Sequence, residues 1–393
     1  MQLAALTASF DDWRARSPFY DETHEAVAQS VRRFVQREVV SHIEEWEAAG
    51  EVPRELNRKA GSAGILGLGF PEEYGGTSAG IDIFHSLAQS EELAAPGAGG
   101  FWSAVTNHAV ALPAVLALGS EDMKQRVAPP VIAGEKLMAI AVTEPSGGSD
   151  VAALKTRAER SGNKYIVNGS KMFISSGMRA DYYVTAVRTG GAGLNGISLL
   201  LIEKGMPGFT QTRLEKMGWH CSDTAALYFD NVEVPVENLI GPENSGFRRI
   251  MQGFNGERLL AAHTCCAFSR VCLDEAVSWA RERQTFGKKL VEHPVIRSKL
   301  ADMTRLINTT QSFVDLCAWQ VREQKIKPLD LGLLKVQATR TFEQVAREAA
   351  HVLGGASYLK GSKVERIYRE VRVMAIAGGS EEIMLDVAGR QFE

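Results

Sequence analysis

Residues 139–179 read AIAVTEPSGGSDVAALKTRAERSGNKYIVNGSKMFISSGMR, and the fold follows from how this stretch is parsed. It opens on an apolar run, residues 139–143, that breaks at Glu144-Pro145. The loop Ser146-Gly147-Gly148-Ser149-Asp150 comes next. Adjacent glycines permit backbone angles that other residues resist, and small side chains let main-chain N–H groups approach a ligand. Beyond it, Tyr165-Ile166-Val167 and residues 171–176 flank Asn168-Gly169, the dipeptide that most strongly signals a hairpin turn. Alone, the stretch suits a surface β-meander with a polar loop as well as a ligand cradle.

Upstream, the hydrophobic period is helical. Val27, Val31, Phe34, Val35, Val39 and Ile43 recur among Arg, Gln and Glu, predicting a helix over 22–47. Further helices are expected over 54–63, 81–93, 101–118 and 121–133, with Pro113 kinking or dividing the one that contains it. The segment LGLGFPEEYGGTSAG reads as a loop. Downstream, 182–187, 197–202, 209–214 and 226–234 alternate as strands between Gly, Asn, Asp and Pro. Helical spacing returns over 247–286, 295–323, 328–353 and 383–391, and a turn near 325–330 makes two of these an antiparallel pair. The expectation is an α+β protein with a helical domain over 1–138, a β-barrel or sandwich over 139–240, and a four-helix-type bundle over 241–393.

Composition narrows the class. With 393 residues, 45% hydrophobic and 23% charged, the chain can build two or three domains around a large core. A net charge of −3 without a basic run gives no electrostatic reason to bind nucleic acid. No run of ~18–20 uninterrupted apolar residues points to a membrane span. The opening MQLAALTASFDDW has an acidic pair and no basic n-region, so the expected location is cytoplasmic. Five cysteines without CxxC spacing, two of them adjacent at Cys265 and Cys266, read as buried thiols.

TEPSGGSD and NGSKMFISSG resemble the flavin-contacting middle domain of the acyl-CoA dehydrogenases. The resemblance continues through KMGWHCSDTAALYFDNVEVPVENLIG, ERLLAA, RERQTFGKKL, LGGASY and IAGGSEEIM, in family order, from about residue 20 to the C-terminus. It implies FAD as cofactor, an acyl-CoA thioester as substrate, an electron-transfer flavoprotein as electron acceptor and a homo-oligomer, commonly tetrameric.

Removing hydrogen from the α and β carbons of a thioester needs a carboxylate base, donors for the developing enolate oxygen and a flavin to take hydride. On its own, Glu257 in NGERLL reads as a solvated carboxylate beside Arg258. One family branch, with the isovaleryl-CoA and long-chain enzymes, resembles this chain in placing its catalytic glutamate here. The other carries it before the Gly-Thr of an EGT motif, and the matching position here is Gly378. The resemblance therefore implies Glu257 as base, with the backbone N–H of Gly378 holding the thioester carbonyl.

It further implies flavin contacts at Ile140, Val142, Thr143, Gly148 and Ser149, and at Phe173, Ile174 and Ser175, where Phe173 replaces a common tryptophan. Arg283, Thr285 and Phe286 match an R-x-T/A-F-G motif that reaches a neighbouring subunit's flavin pyrophosphate. His351, Gly354 and Gly355 match a Q-x-x-G-G adenine contact with histidine for glutamine. Gly379, Ser380 and Glu382 complete the adenosine end. For the CoA portion the matching residues are Ser149, Asn255 and Arg258, while Trp219 and His220 follow the KMG block.

Other functions share these motifs. The same fold oxidises acyl or aminoacyl groups on carrier proteins, and flavin monooxygenases and nitroalkane oxidases share the architecture. Those monooxygenases generally lack the glutamate and the oxidases use aspartate, so Glu257 argues against both. A flavin-holding scaffold is the non-catalytic alternative, encouraged only by His351 and Ser380.

Overall fold

The computed structural model describes residues 10–392, the side chains of Gln252, Phe254 and Asn255 excepted. The chain opens with helices α1 (Phe10–Arg16), α2 (Glu22–Glu38), α3 (Ile43–Ala49), α4 (Arg54–Ser62), α5 (Ile83–Ala94), α6 (Gly99–Thr106), α7 (His108–Leu118) and α8 (Glu121–Ile132). Strands follow: β1 (Met138–Ala141), β2 (Arg157–Ser161), β3 (Lys164–Ser175), β4 (Tyr182–Arg188), β5 (Ile197–Glu203), β6 (Phe209–Arg213), β7 (Thr224–Pro235) and β8 (Leu239–Ile240). Helix α9 (Gly246–Glu282) leads to the short strands β9 (Gln284–Thr285) and β10 (Lys288–Lys289). Last come α10 (Pro294–Arg322), α11 (Pro328–Leu353), α12 (Lys363–Ile376) and α13 (Glu381–Gly389). The chain packs as two compact units that ignore chain order. Of the described residues, one holds those up to Glu44, Asp82–Gly99 and those from Glu257 onward; the other holds Glu45–Ile81 and Gly100–Gly256.

The second unit is built on an 8-stranded sheet of order β6-β7-β3-β2-β4-β5-β8, with β1 pairing β4. Strands β4 and β5 are buried along all but their last residues because both their faces are covered. Val184, Ala186, Leu199 and Leu201 pack with Leu112, Val115, Val127 and Val131 of α7 and α8. Tyr183, Val187, Leu200 and Ile202 pack with Tyr165, Val167, Leu227 and Phe229 of β3 and β7. Each such large side chain contributes about 1.5–3 kcal/mol on burial. One edge of β4 is shared. Strand β1 pairs from Met138↔Tyr182 to Ala141↔Thr185, whereas β2 meets it only at Arg157↔Arg188. Residues 142–156 cross between these two pairings.

Four sequence expectations need correction. Asn168-Gly169 is no turn: β3 runs through it, with a bulge between Val167 and Gly169 in its pairing to β7. The reversal lies at Gly162-Asn163, where Ser161 faces Lys164 across a two-residue loop and Gly162 has φ +64°. At Gly169 (φ +143°) a Cβ would stand 2.7 Å from Thr156 Cα, so this glycine serves a close backbone approach instead. The helix expected over 22–47 breaks at Val39 (φ −123°). Helix α12 was not anticipated. Its buried stripe Val364, Ile367, Val371 and Met374 is interrupted by buried Arg366 and Glu370, which mask the apolar period.

The helix expected over 101–118 divides at Asn107 rather than at Pro113. Asn107 Nδ2 donates to Met138 O at 3.0 Å and Ser175 O at 3.2 Å, tying the junction to β1 and β3. Among the described residues one stretch, Gly99–Leu118, is long and apolar enough by composition to cross a membrane. Here Ala111, Leu112 and Val115 in it are core residues.

In the first unit α9 is buried nearly all round, through Leu259, Ala262, Cys265, Cys266, Phe268, Leu273 and Ala276, as a central bundle helix must be. Phe268 stacks on Phe342 of α11 at 5.9 Å. Helices α2 and α5 begin with the same box: Asp21 N–H donates to His24 Nδ1 (2.9 Å) and Asp82 N–H to His85 Nδ1 (3.1 Å). The boxes interlock, His24 Nε2 on Asp82 Oδ1 and His85 Nε2 on Thr23 Oγ1, each at 3.0 Å. The His-Asp cluster is thus hydrogen-bonded within itself. All five cysteines are buried thiols outside any disulfide, as expected.

Candidate active site

Glu257 sits on α9 with Oε2 withdrawn from solvent and without a hydrogen-bond partner among the described residues. Burial raises its carboxyl above the ordinary value, opposed by the charges of Lys335 and Arg258. Against it lies the turn between α12 and α13. Gly378 (φ +69°) and Gly379 (φ +104°) both take left-handed angles that only glycine adopts cheaply. A Cβ on Gly378 would stand 3.7 Å from Glu257 Oε1, so the carboxyl faces bare backbone.

Two cations hold that turn by its carbonyls. Lys335 Nζ donates to Ala377 O (2.5 Å) and to Gly379 O. Arg258 Nε donates to Gly378 O at 3.2 Å. Among the described residues the Gly378 N–H has no backbone acceptor. Lys335 is buried, and burial lowers its pKa to about 8 against the opposing influence of Cys265 and Glu257. A carboxyl kept from water beside an uncommitted backbone donor suits proton abstraction from a carbon next to a carbonyl. Sequence reasoning missed Lys335. Its signal was a lysine on the apolar stripe Leu331, Leu334, Ala338 and Phe342 of α11.

In the sheet unit, residues 142–149 and the end of β3 meet. Thr143 O accepts from Met172 N at 2.9 Å, and a Cβ on Gly148 would lie 3.5 Å from Thr143 Cγ2. Phe173 is 68% exposed at φ +62°, turned outward by the bulge between Lys171 and Ile174. Ile140 and Ser175 are half-buried, Val142 and Ile174 buried, Gly148 and Ser149 exposed. Underneath, Lys171 Nζ donates to Val142 O (3.0 Å) and Glu144 Oε1 (2.8 Å) in full burial. Glu144 also accepts from the backbone of Lys155 (2.6 Å) and Thr156 (2.9 Å). That brace, unassigned from sequence although both residues lie in the quoted motifs, fixes the strand end carrying Thr143. An outward aromatic and a braced backbone edge, with the Thr143 and Ser175 hydroxyls beside them, fit a flat, polar ring such as a flavin. Trp219 lies 6.2 Å from Trp102, and His220 Nε2 bonds Lys216 O at 3.1 Å.

Other expected residues do not join Glu257. Arg283 follows the far end of α9, roughly 38 Å along the axis at ~1.5 Å per residue. Thr285 pairs with Lys288 around the two-residue tip Phe286-Gly287, and Phe286 is 97% exposed. His351 is exposed at the end of α11, roughly 24 Å along the helix from Lys335, and Gly354 (φ +61°) and Gly355 follow it. Gly379, Ser380 and Glu382 do adjoin the cluster. Ser380 caps α13 by accepting from Ile383 N at 3.4 Å, and Glu382 stands exposed in its first turn. The Asn255 side chain lies outside the described residues.

The succession of helices, β domain and helices is that of a class of oxidoreductases acting on CH–CH bonds. The chain belongs to the acyl-CoA dehydrogenase family. The family's N-terminal, middle and C-terminal domains match residues 21–135, 139–232 and 244–392. It is 35% identical over 377 residues to the mitochondrial long-chain specific acyl-CoA dehydrogenase of Rattus norvegicus, covering 95% of this chain and 87% of that protein. A probable acyl-CoA dehydrogenase of Mycobacterium abscessus shares its structure with a TM-score of 0.93 and 43% identity, over 95% of this chain and all (100%) of that one. A Mycobacterium smegmatis glutaryl-CoA dehydrogenase, solved in complex with FADH2, superposes with a TM-score of 0.89 at 26% identity, 95% of each chain covered. The family is FAD-dependent and its members act on CH–CH bonds.

Proposed function

We propose that this chain oxidises an acyl-CoA thioester to the trans-2-enoyl-CoA, in fatty-acid β-oxidation or a related route, with Glu257 removing the α proton. The observation that carries the reading is the carboxyl of Glu257, sequestered, without a partner at Oε2 among the described residues, and set against Gly378. A base with a raised pKa takes a proton from carbon more readily than an ordinary carboxylate. The N–H of Gly378 then stabilises the oxygen of the enolate that forms. FAD, when bound, supplies the acceptor for the β hydrogen as hydride. The residues of this chain that hold it are Ile140, Val142, Thr143, Gly148, Ser149, Phe173, Ile174 and Ser175. Ser149, Asn255 and Arg258 contact the CoA portion.

Residues 1–138, 139–240 and 241–393 serve as the three functional domains. Arg283, Thr285, Phe286, His351, Gly354 and Gly355 complete the flavin site of a second copy in a dimer-of-dimers homotetramer, with Gly379, Ser380 and Glu382 at the adenosine end. The distance of Arg283 along α9 from Glu257 supports this assignment. Electrons pass to an electron-transfer flavoprotein, and the compartment is cytoplasmic.

Anaerobic mixing with a panel of acyl-CoAs tests the reading, following flavin bleaching at about 450 nm. The wild type bleaches and Glu257→Gln slows bleaching roughly 10²–10⁴-fold. A variant as fast as wild type would remove Glu257 as base. Failure with every acyl-CoA would favour a carrier-bound substrate or a scaffold.

A further inference from the structure

Lys335 is a buried cation that no step above uses, and it touches the catalytic turn directly. Its Nζ binds the carbonyls on either side of Gly378, while Arg258 binds the carbonyl between them. All three carbonyls of residues 377–379 are thus held by positive charge, which sets the backbone of Gly378 beside the carboxyl. The charged groups bearing on this point are few. Arg258 and Lys335 act on Glu257; Cys265 and Arg258 of α9, Glu257 itself, and Glu381 of α13 act on Lys335. Burial disfavours both the charged lysine and the charged glutamate, so each gains from the other.

We infer that Lys335 is a positioning residue for this site: it clamps the Ala377–Gly379 turn so that Gly378 stays beside Glu257, and its charge favours the carboxylate form of that base. The inference rests on the reading of Glu257 as base. Neutralising Lys335 while keeping a donor leaves the turn bound but withdraws the charge. Replacing it by arginine keeps the charge but alters the clamp.

The experiment measures the rate of flavin reduction by the best acyl-CoA against pH in the holoenzyme, for wild type, Glu257→Gln, Lys335→Gln and Lys335→Arg. Wild-type rate rises with pH as Glu257 ionises. In Lys335→Gln this acidic limb moves up by about one pH unit, the size of effect a nearby opposite charge exerts. In Lys335→Arg the limb stays in place while the plateau rate falls several-fold. Superimposable limbs in Lys335→Gln and wild type overturn the inference. So does a limb that moves in Lys335→Arg, which keeps the test decisive if the glutamine variant does not fold. A wild type that no acyl-CoA reduces, or a Glu257→Gln as fast as wild type, removes the base assignment first and the role of Lys335 with it.

Discussion

At Glu257 the folded chain keeps a carboxyl from water with no donor on Oε2 among the described residues, and burial raises its pKa above the value of 4.5 it has when solvated. The sign of the stability effect follows. A group whose folded pKa is raised contributes stability that is complete below its unfolded pKa and is lost as pH rises through the folded one. Glu257→Gln has no such loss, so its melting temperature should exceed that of wild type near pH 7, with the gap closing towards pH 4. An unsatisfied buried polar group of this kind costs about 1–3 kcal/mol. Calorimetry across that range checks it, and a gap independent of pH would mean that Glu257 is solvated. Glu257 stood out in the sequence because its motif came in order among six others. Lys335 did not. A lysine among apolar neighbours looks like an error of period, and the carbonyls it binds lie in a turn far along the chain.

Elements were readable wherever one period ran without interruption. Strands β4 and β5 and the α10–α11 pair fell where their patterns put them, because two-sided burial and a polar turn leave plain signals. Helix α12 was invisible because Arg366 and Glu370 sit on its buried stripe, held by Gly97 O, Glu44 and Gly99 N–H. The turn of β2 into β3 was misplaced because two Gly/Asn pairs compete, and only the crossing segment at Thr156 decides between them. That segment depends on the brace between Glu144 and Lys171. Lys171→Met leaves a carboxylate buried without its cation and should cost about 3 kcal/mol or more in urea unfolding. Adding Glu144→Gln should restore part of that. A single variant within 1 kcal/mol of wild type, to take about a third of that figure, would show the pair to be dispensable.

At the scale of the molecule, the order of the motifs gave the succession of helical, β and helical domains. It gave no hint that the compact units are discontinuous, with α5 packed among C-terminal helices. Such pairings arise from contacts like His263 Nε2 with Leu87 O (3.0 Å), which no local pattern encodes. Assembly offers a test of the composite site. If Arg283 serves a neighbour, oligomers mixed from Glu257→Gln and Arg283→Ala chains regain activity neither parent has. Each mixed pair then holds one intact site, giving roughly a quarter of wild-type activity after random exchange. Mixed oligomers as inactive as their parents would place Arg283 outside the neighbour's site.

The buried thiols make the chain its own reporter of breathing motions. Cys265, Cys266, Cys272 and Cys317 lie in the helical unit and Cys221 alone in the sheet unit. A thiol reagent meets a sulfur only when the surrounding unit opens. The labelling time course of Cys221, set beside that of the other four, therefore clocks the two units separately in the unmodified protein.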